Sequence, residues 1–150
     1  MKSMLNTKTK APDFSLPDQD GKIWTLKDTL GTYTLIYFYP KDDTPGCTRE
    51  ACAITDSYKA FEKAGIKVFG VSTDKPDKHI KFRIKYNLPF TLLSDPDKTM
   101  ITAYGAAHST GGTSRISYIL DKKGMVIKSY PKVDPGSHAV EILKDIKEFK

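Results

Sequence analysis

The 150-residue chain has few of the features that mark a membrane, secreted or disulfide-stapled protein. No run of about 18 apolar residues occurs, so no transmembrane helix is expected. Met1-Lys2-Ser3-Met4-Leu5-Asn6 has no apolar signal core, so export is not expected and the default location is cytoplasmic. There is no repeat, low-complexity segment or internal linker, and the length suits one domain spanning residues 1–150. Cysteine is nearly absent, with Cys47 and Cys52 alone. Arginine is scarce too: Arg49, Arg83 and Arg115 are the only ones among 24 Lys plus Arg. Lysine serves wherever a plain surface charge suffices, so each arginine raises the question of what its planar fork does.

The net charge of +6 would admit a nucleic-acid partner, but the lysines are spread along the chain. The densest cluster is Lys122-Lys123 in an expected turn, and no basic run of five to eight residues exists. Nucleic-acid binding is therefore not expected. A structural zinc site needs about four nitrogen or sulfur ligands. Beyond the two cysteines the soft ligands are His79, His108 and His138, scattered, unpatterned and expected on the surface. No metal is expected.

What is present is an alternation of strand and helix signals. Phe14-Ser15-Leu16-Pro17 and Ile23-Trp24-Thr25-Leu26, joined by Asp18-Gln19-Asp20-Gly21, read as a β-hairpin after a loose segment over 1–11. Residues 33–39 and 66–72 read as buried strands, separated by a helix over 46–64 ended by Gly65. A helix follows from Asp74–Pro76 to Tyr86, with Ile80, Phe82-Arg83-Ile84 and Tyr86 as its stripe. Phe90-Thr91-Leu92-Leu93 reads as a short strand, and Asp95-Pro96-Asp97 caps a short helix ending at Tyr104. After a flexible loop from Gly105 to Thr113, residues 114–120 and 125–130 form a second hairpin. A helix over 137–149 closes the chain, with Val140, Leu143, Ile146 and Phe149 as its stripe. The pattern predicts an α/β layered domain around a mixed sheet.

The chemistry concentrates in Pro40-Lys41-Asp42-Asp43-Thr44-Pro45-Gly46-Cys47-Thr48-Arg49-Glu50-Ala51-Cys52. Cys47 falls where a strand gives way to a helix. Free N–H groups and the helix dipole there favour an anion, so the thiol is a candidate nucleophile. Burial as a small hydrophobe is the competing reading, which the Thr-Pro-Gly lead-in disfavours because it holds an exposed turn. Cys52 is core, surface or a partner thiol, and only its nearness to Cys47 favours the last. Thr44 is a turn residue, or a hydroxyl donor to the thiolate or to a substrate oxygen. Pro40 and Pro45 stiffen the loop, and Gly46 lets backbone approach a ligand closely. Arg115, at the start of a strand, is an edge charge or a cation lying over the thiolate. Glu50 reads as a first-turn acid, with orientation of an arginine as the alternative.

The Pro40…Thr44…Cys47 pattern, with Tyr37-Phe38-Tyr39 before it and Cys52 after it, resembles the peroxiredoxins, and among them the peroxiredoxin Q or bacterioferritin comigratory protein subfamily. Ala11-Pro12-Asp13-Phe14-Ser15-Leu16-Pro17, Gly70-Val71-Ser72-Thr73-Asp74, Leu92-Leu93-Ser94-Asp95 and Arg115-Ile116-Ser117-Tyr118-Ile119-Leu120-Asp121 carry the likeness over nearly the whole chain. One departure is a loop from Tyr104 to Ser114 that is shorter than in many members. The resemblance implies a thioredoxin-like fold, no cofactor, and reduction of hydrogen peroxide and organic hydroperoxides. It implies a peroxidatic Cys47, a resolving Cys52 joined to it in an intramolecular disulfide, and activating Thr44 and Arg115. It places substrate against Pro40, Thr44, Gly46 and Arg115. Thioredoxin or a similar dithiol would be the reductant, and the protein a monomer or weak homodimer. Two rivals share the fold. A thiol–disulfide oxidoreductase would use Cys-x-x-Cys, where four residues intervene here. A thiol-based redox sensor would not turn over.

On one intact helix, five residues separate the cysteines by about 7.5 Å along the axis and roughly 140° around it. Their Cα atoms would lie about 8–9 Å apart, beyond the roughly 7 Å reach of a disulfide. The reduced chain is thus expected to hold them unbonded on a continuous helix.

Overall fold

A computed structural model describes residues 4–149. Two short strands open the fold, β1 (Ser15–Pro17) and β2 (Ile23–Thr25), paired antiparallel with Leu16 opposite Trp24. Asp18 fixes their turn: its carboxylate accepts the N–H groups of Asp20 and Lys22 and, at 2.8 Å, the Trp24 indole. The hairpin's second strand stops at Thr25, and Leu26–Thr29 form a 3-10 turn capped by the Asp28 carboxylate.

The main sheet has five strands: β3 (Tyr33–Phe38), β4 (Ile66–Ser72), β5 (Thr91–Ser94), β6 (Ile116–Leu120) and β7 (Val126–Tyr130), in the order β5-β4-β3-β6-β7. β3 runs parallel to β4, and β4 to β5; β6 is antiparallel to β3 and β7 to β6. The parallel pairs need crossovers, supplied by α1 (Pro45–Asp56) with α2 (Tyr58–Lys63), and by α3 (Pro76–Tyr86). α4 (Thr99–Ala103) and α5 (His138–Ile146) complete the helices.

The strands are apolar on both faces, as a sheet covered on both sides requires. Leu35, Tyr37 and Tyr39 point to the side of α1, α2, α3 and α5, against Ala51, Ile54, Phe61, Phe82 and Ile142. Ile36 and Phe38 point the other way, toward Met100, Ile101 and Tyr104 and the N-terminal hairpin. Each fully buried side chain of this size contributes about 1.5–3 kcal/mol.

Several expectations are corrected. The helix expected over 46–64 is two helices, broken at Ser57, whose backbone (φ −101°, ψ 6°) leaves the helical region and redirects the chain so that Phe61 is buried. The α3 stripe is not the isoleucines: Ile84 is 74% exposed, and the buried positions are His79 and Phe82. Burying an imidazole is tolerable here because both ring nitrogens find partners, Asp42 and the Leu93 carbonyl. On α5 the buried set is His138, Ala139, Ile142 and Ile146, while Val140 is 66% exposed and Phe149 lies beyond the helix in a 3-10 turn. His138 is likewise buried, its Nε2 2.9 Å from Ser117 Oγ and its Nδ1 3.0 Å from Glu141. Of the three histidines expected at the surface, only His108 is exposed.

The segment expected to be loose over 1–11 is tied down where it is described. Lys8 N–H donates to the Val126 carbonyl, Val126 N–H to Thr9, and Ala11 N–H to Gly124, at 2.7, 2.8 and 3.0 Å. These bonds occupy backbone groups at the start of β7 and in the turn before it that a bare sheet edge would leave free. Met1–Ser3 lie outside the described residues. The Gly105–Thr113 loop also closes on itself, through an Ala107–Thr113 bridge and a 2.7 Å bond from His108 N–H to Gly112.

Candidate active site

The loop from Tyr39 to Thr44 leaves the C-terminal end of β3 and delivers the chain to α1. Thr44 is the N-cap, extended at φ −97°, with Pro45 at the first helical position, where a missing N–H costs nothing. Cys47 therefore lies in the first turn, where backbone N–H groups lack intrahelical acceptors and the dipole favours negative charge. Contrary to the expectation of an exposed turn, Cys47 is only 2% exposed and joins the core beside Tyr37, Tyr39 and Ala51.

Arg115 immediately precedes β6, whose Ile116 pairs with Phe38 at the end of β3. That pairing brings Arg115 over the start of α1. Its Nη2 lies 3.5 Å from Cys47 Sγ, and its Nη1 donates to Glu50 Oε1 at 2.8 Å. The edge-charge reading is thus replaced by a fork bridging thiol and carboxylate. Burial works against the guanidinium charge, but the bonds to Glu50 and Cys47 outweigh it and raise its pKa. Gly46 makes room: a Cβ there would come within 2.9 Å of Arg115 Nη2. The group that approaches the Gly46 backbone is this guanidinium.

Glu50 is fully buried, one turn past Gly46, and is not the solvated first-turn acid of the plainer reading. Burial pushes its carboxyl up to about 7, with Arg115 pulling the other way. Its Oε2 has no partner among the described residues, nor does the hydroxyl of Tyr37 on the same sheet face. Burial first, then the Glu50 charge, raise the Tyr37 pKa well above the usual phenol, so Tyr37 stays neutral.

Thr44 sits at the expected place, but its hydroxyl donates to the Lys41 carbonyl at 2.9 Å. Pro40 is exposed at the start of the loop. Cys52 is half-buried on the same uninterrupted helix as Cys47, and both thiols are free. It borders an open groove of about 500 Å³ lined also by Arg49, Asp56, Asp134, Gly136 and Ser137. Burial, and then the charge of Asp56, raise the Cys52 pKa. At neutral pH Cys52 is a thiol and a poor first nucleophile.

Sequence reasoning missed Asp42, His79, and the clamp in which Lys85 and Tyr86 each bond the Asp43 carboxylate at 2.8 Å. The paired acids Asp42-Asp43 beside the motif were the available signal. Their partners lie some 40 residues on, with no local cue.

A thiol at a helix start, capped by an arginine on a mixed α/β sheet, defines a cysteine-based redox protein of thioredoxin-like architecture. The AhpC/TSA family profile matches residues 7–129, and the chain belongs to that family. A Coxiella burnetii relative bearing the name peroxiredoxin bcp is 42% identical over 141 residues, spanning 89% of this chain and 93% of that protein. The chloroplastic peroxiredoxin Q of Populus jackii is 47% identical over 136 residues; the match spans 89% of this chain and 64% of that protein. The bacterioferritin comigratory protein of Xanthomonas campestris, whose structure is described for alkyl peroxide reduction, superposes with a TM-score of 0.89 at 32% identity, covering 96% of this chain and 99% of that one. The chain is thus a peroxiredoxin of the Q type, a thiol peroxidase.

Proposed function

We propose that Cys47 is the peroxidatic nucleophile, Cys52 the resolving thiol, and Thr44 and Arg115 the activating groups, with hydrogen peroxide and organic hydroperoxides as substrates. The observation that carries this reading is the Arg115 fork, with Nη2 3.5 Å from Cys47 Sγ and Nη1 on Glu50 at 2.8 Å. The Cys47 thiolate attacks the terminal peroxide oxygen, the O–O bond breaks, and the alkoxide or hydroxide takes a proton and leaves as alcohol or water. Arg115 and the first-turn N–H groups stabilise the charge moving onto the leaving oxygen, and the Thr44 hydroxyl joins them by rotating its hydrogen away from the Lys41 carbonyl. Pro40, Thr44, Gly46 and Arg115 frame the peroxide.

Cys47 is left as sulfenic acid. The Cys52 thiol attacks that sulfur, water leaves, and an intramolecular Cys47–Cys52 disulfide forms. A thioredoxin-type dithiol then reduces it by exchange, itself becoming a disulfide. The groove beside Cys52 offers such a partner access. No bound cofactor enters these steps. No helix among the described residues is long and apolar enough to cross a membrane. The reading extends to one domain over residues 1–150, acting as a monomer or weak homodimer in the cytoplasm, where a reducing pool returns both thiols.

Peroxide consumption coupled to thioredoxin and its reductase tests the reading. Wild type should turn over and Cys47→Ser should not, while keeping its fold. Turnover by Cys47→Ser would sink it.

A further inference from the structure

Asp42 lies in the β3–α1 loop, five residues before Cys47, and is 8% exposed. Both of its carboxylate oxygens and its N–H are engaged. Its Oδ1 accepts the Tyr39 hydroxyl at 2.6 Å, and its Oδ2 lies 2.6 Å from His79 Nδ1. Its N–H donates at 2.8 Å to Asp74 Oδ2, which also accepts the Ser72 hydroxyl at 2.8 Å. His79, on α3, is 0% exposed, and its Nε2 lies 3.0 Å from the Leu93 carbonyl on β5.

The proton count follows from these partners. A carbonyl only accepts, so Nε2 carries a hydrogen. A bare ring nitrogen and a bare carboxylate oxygen would repel at 2.6 Å, so a second proton lies between Nδ1 and Oδ2. Asp42, Asp74 and His79 place potential metal-ligand atoms within 4.8 Å of one another. The direct Asp42–His79 bond makes this a closed hydrogen-bonded network and leaves no gap there for a cation.

The network ties the loop together from three sides: Tyr39 just past β3, Ser72 at the end of β4 with Asp74 just beyond it, and His79 on α3. The loop carries Pro40 and Thr44 and starts the turn that bears Cys47. Unwinding that turn to bring Cys47 and Cys52 together must disturb the loop.

We propose that His79 and Asp42 are positioning residues that latch the Pro40–Thr44 loop in its peroxide-reactive form, and that releasing the latch favours closure of Cys47 onto Cys52. The inference rests on the reading of Cys47 as nucleophile and Cys52 as its partner. Neither latch residue hydrogen-bonds the sulfur, which lies against Arg115. A latched loop favours attack on peroxide, and a released one favours disulfide formation.

Rapid-quench alkylation with mass analysis separates the two steps on the full chain: oxidation of Cys47, then disulfide closure. His79→Ala and Asp42→Ala should slow Cys47 oxidation by about tenfold or more, the scale expected when reacting groups are misplaced, and should speed closure. Asp42→Asn should restore both rates toward wild type. Its amide can donate to a neutral His79 Nδ1 while its oxygen still accepts Tyr39. Val126→Ala, fully buried on the other side of the sheet, should lower Tm without changing the balance of the two steps. Unchanged rates in both alanine variants, or both steps falling together as Tm falls, would overturn the latch. So would an Asp42→Asn protein as slow as Asp42→Ala. If His79→Ala fails to fold, the Asp42 pair decides alone. Peroxide consumption by Cys47→Ser would instead strike the underlying reading, whereas an inactive Cys47→Ser beside unaffected latch variants strikes the latch alone.

Discussion

Arg115 and Glu50 form an ion pair 65 residues apart in sequence, with Nη1 2.8 Å from Oε1, the guanidinium partly exposed and the glutamate wholly inaccessible. The same guanidinium reaches Cys47 Sγ with its other nitrogen. Glu50 therefore sets where the cation stands, and the cation stands where charge develops during attack.

Removing the fork should be costly. Arg115→Ala should slow Cys47 oxidation by about a hundredfold, in line with the loss of one preorganised donor in an active site. Arg115→Lys should recover little, because an ammonium cannot span Glu50 and the sulfur as a planar fork does. Stopped-flow oxidation rates check this, and a wild-type rate in Arg115→Ala would return Arg115 to an edge charge.

Gly46→Ala should separate stability from activity. Alanine is worth about 0.5–1 kcal/mol over glycine in mid-helix and less in the first turn where Gly46 lies, so Tm should change little. The new Cβ would sit 2.9 Å from Arg115 Nη2, a flexible end that can move aside. The displaced cation should slow attack by about tenfold, on the scale of a misplaced catalytic group. Thermal melts and oxidation rates on one preparation test the split.

Glu50 should leave a pH signature in stability. Its folded pKa, about 7, lies above the ordinary 4.5, so the folded state holds the proton more tightly than the unfolded. That contribution is complete below about pH 4.5 and is lost as pH rises through 7. At 1.36 kcal/mol per unit the swing is up to about 3 kcal/mol. Glu50→Gln lacks it. Denaturation midpoints of wild type should therefore fall relative to Glu50→Gln between pH 5 and 8. Parallel curves would show the carboxyl unshifted.

Much of this site was legible in the sequence because local rules sufficed. The β3 apolar run, the Thr44-Pro45-Gly46-Cys47 helix start and the rarity of arginine each pointed to one place. The failures share a cause. Glu50, His79 and His138 looked like surface residues because local sequence cannot show a partner such as Arg115, Asp42 or Ser117, and those partners are what make their burial tolerable. The same blindness misassigned part of the faces of α3 and α5: Phe82 and Ile146 face inward as expected, but a paired histidine also took an inward position and Ile84 and Val140 turned outward. The N-terminal segment was missed because its bonds to β7 are backbone to backbone and leave no side-chain pattern.

Cys52→Ser should still react once with peroxide and stop at sulfenic acid, then over-oxidise with excess peroxide. The raised pKa of the Cys52 thiol keeps it from competing for the first step. Mass analysis after one equivalent and after many gives the two states. Full thioredoxin-supported turnover in this variant would show that another thiol resolves Cys47.

Disulfide formation should unwind the start of α1. The reduced chain holds both thiols free on one helix from Pro45 to Asp56. Five residues of helix separate their Cα atoms by about 8–9 Å. A disulfide tolerates roughly 7 Å at most, so the intact helix cannot accommodate it. Helix ends open at least cost, and the Thr44 cap contributes no side-chain bond to the helix N–H groups. Cys47 must also leave a core position, so the opening exposes apolar surface around Tyr37, Tyr39 and Ala51. Amide exchange over residues 46–54 should be slow in the reduced protein and much faster in the disulfide form, with the rest of the sheet little changed. Equal protection in both forms, with the intramolecular disulfide confirmed by mass, would refute the unwinding.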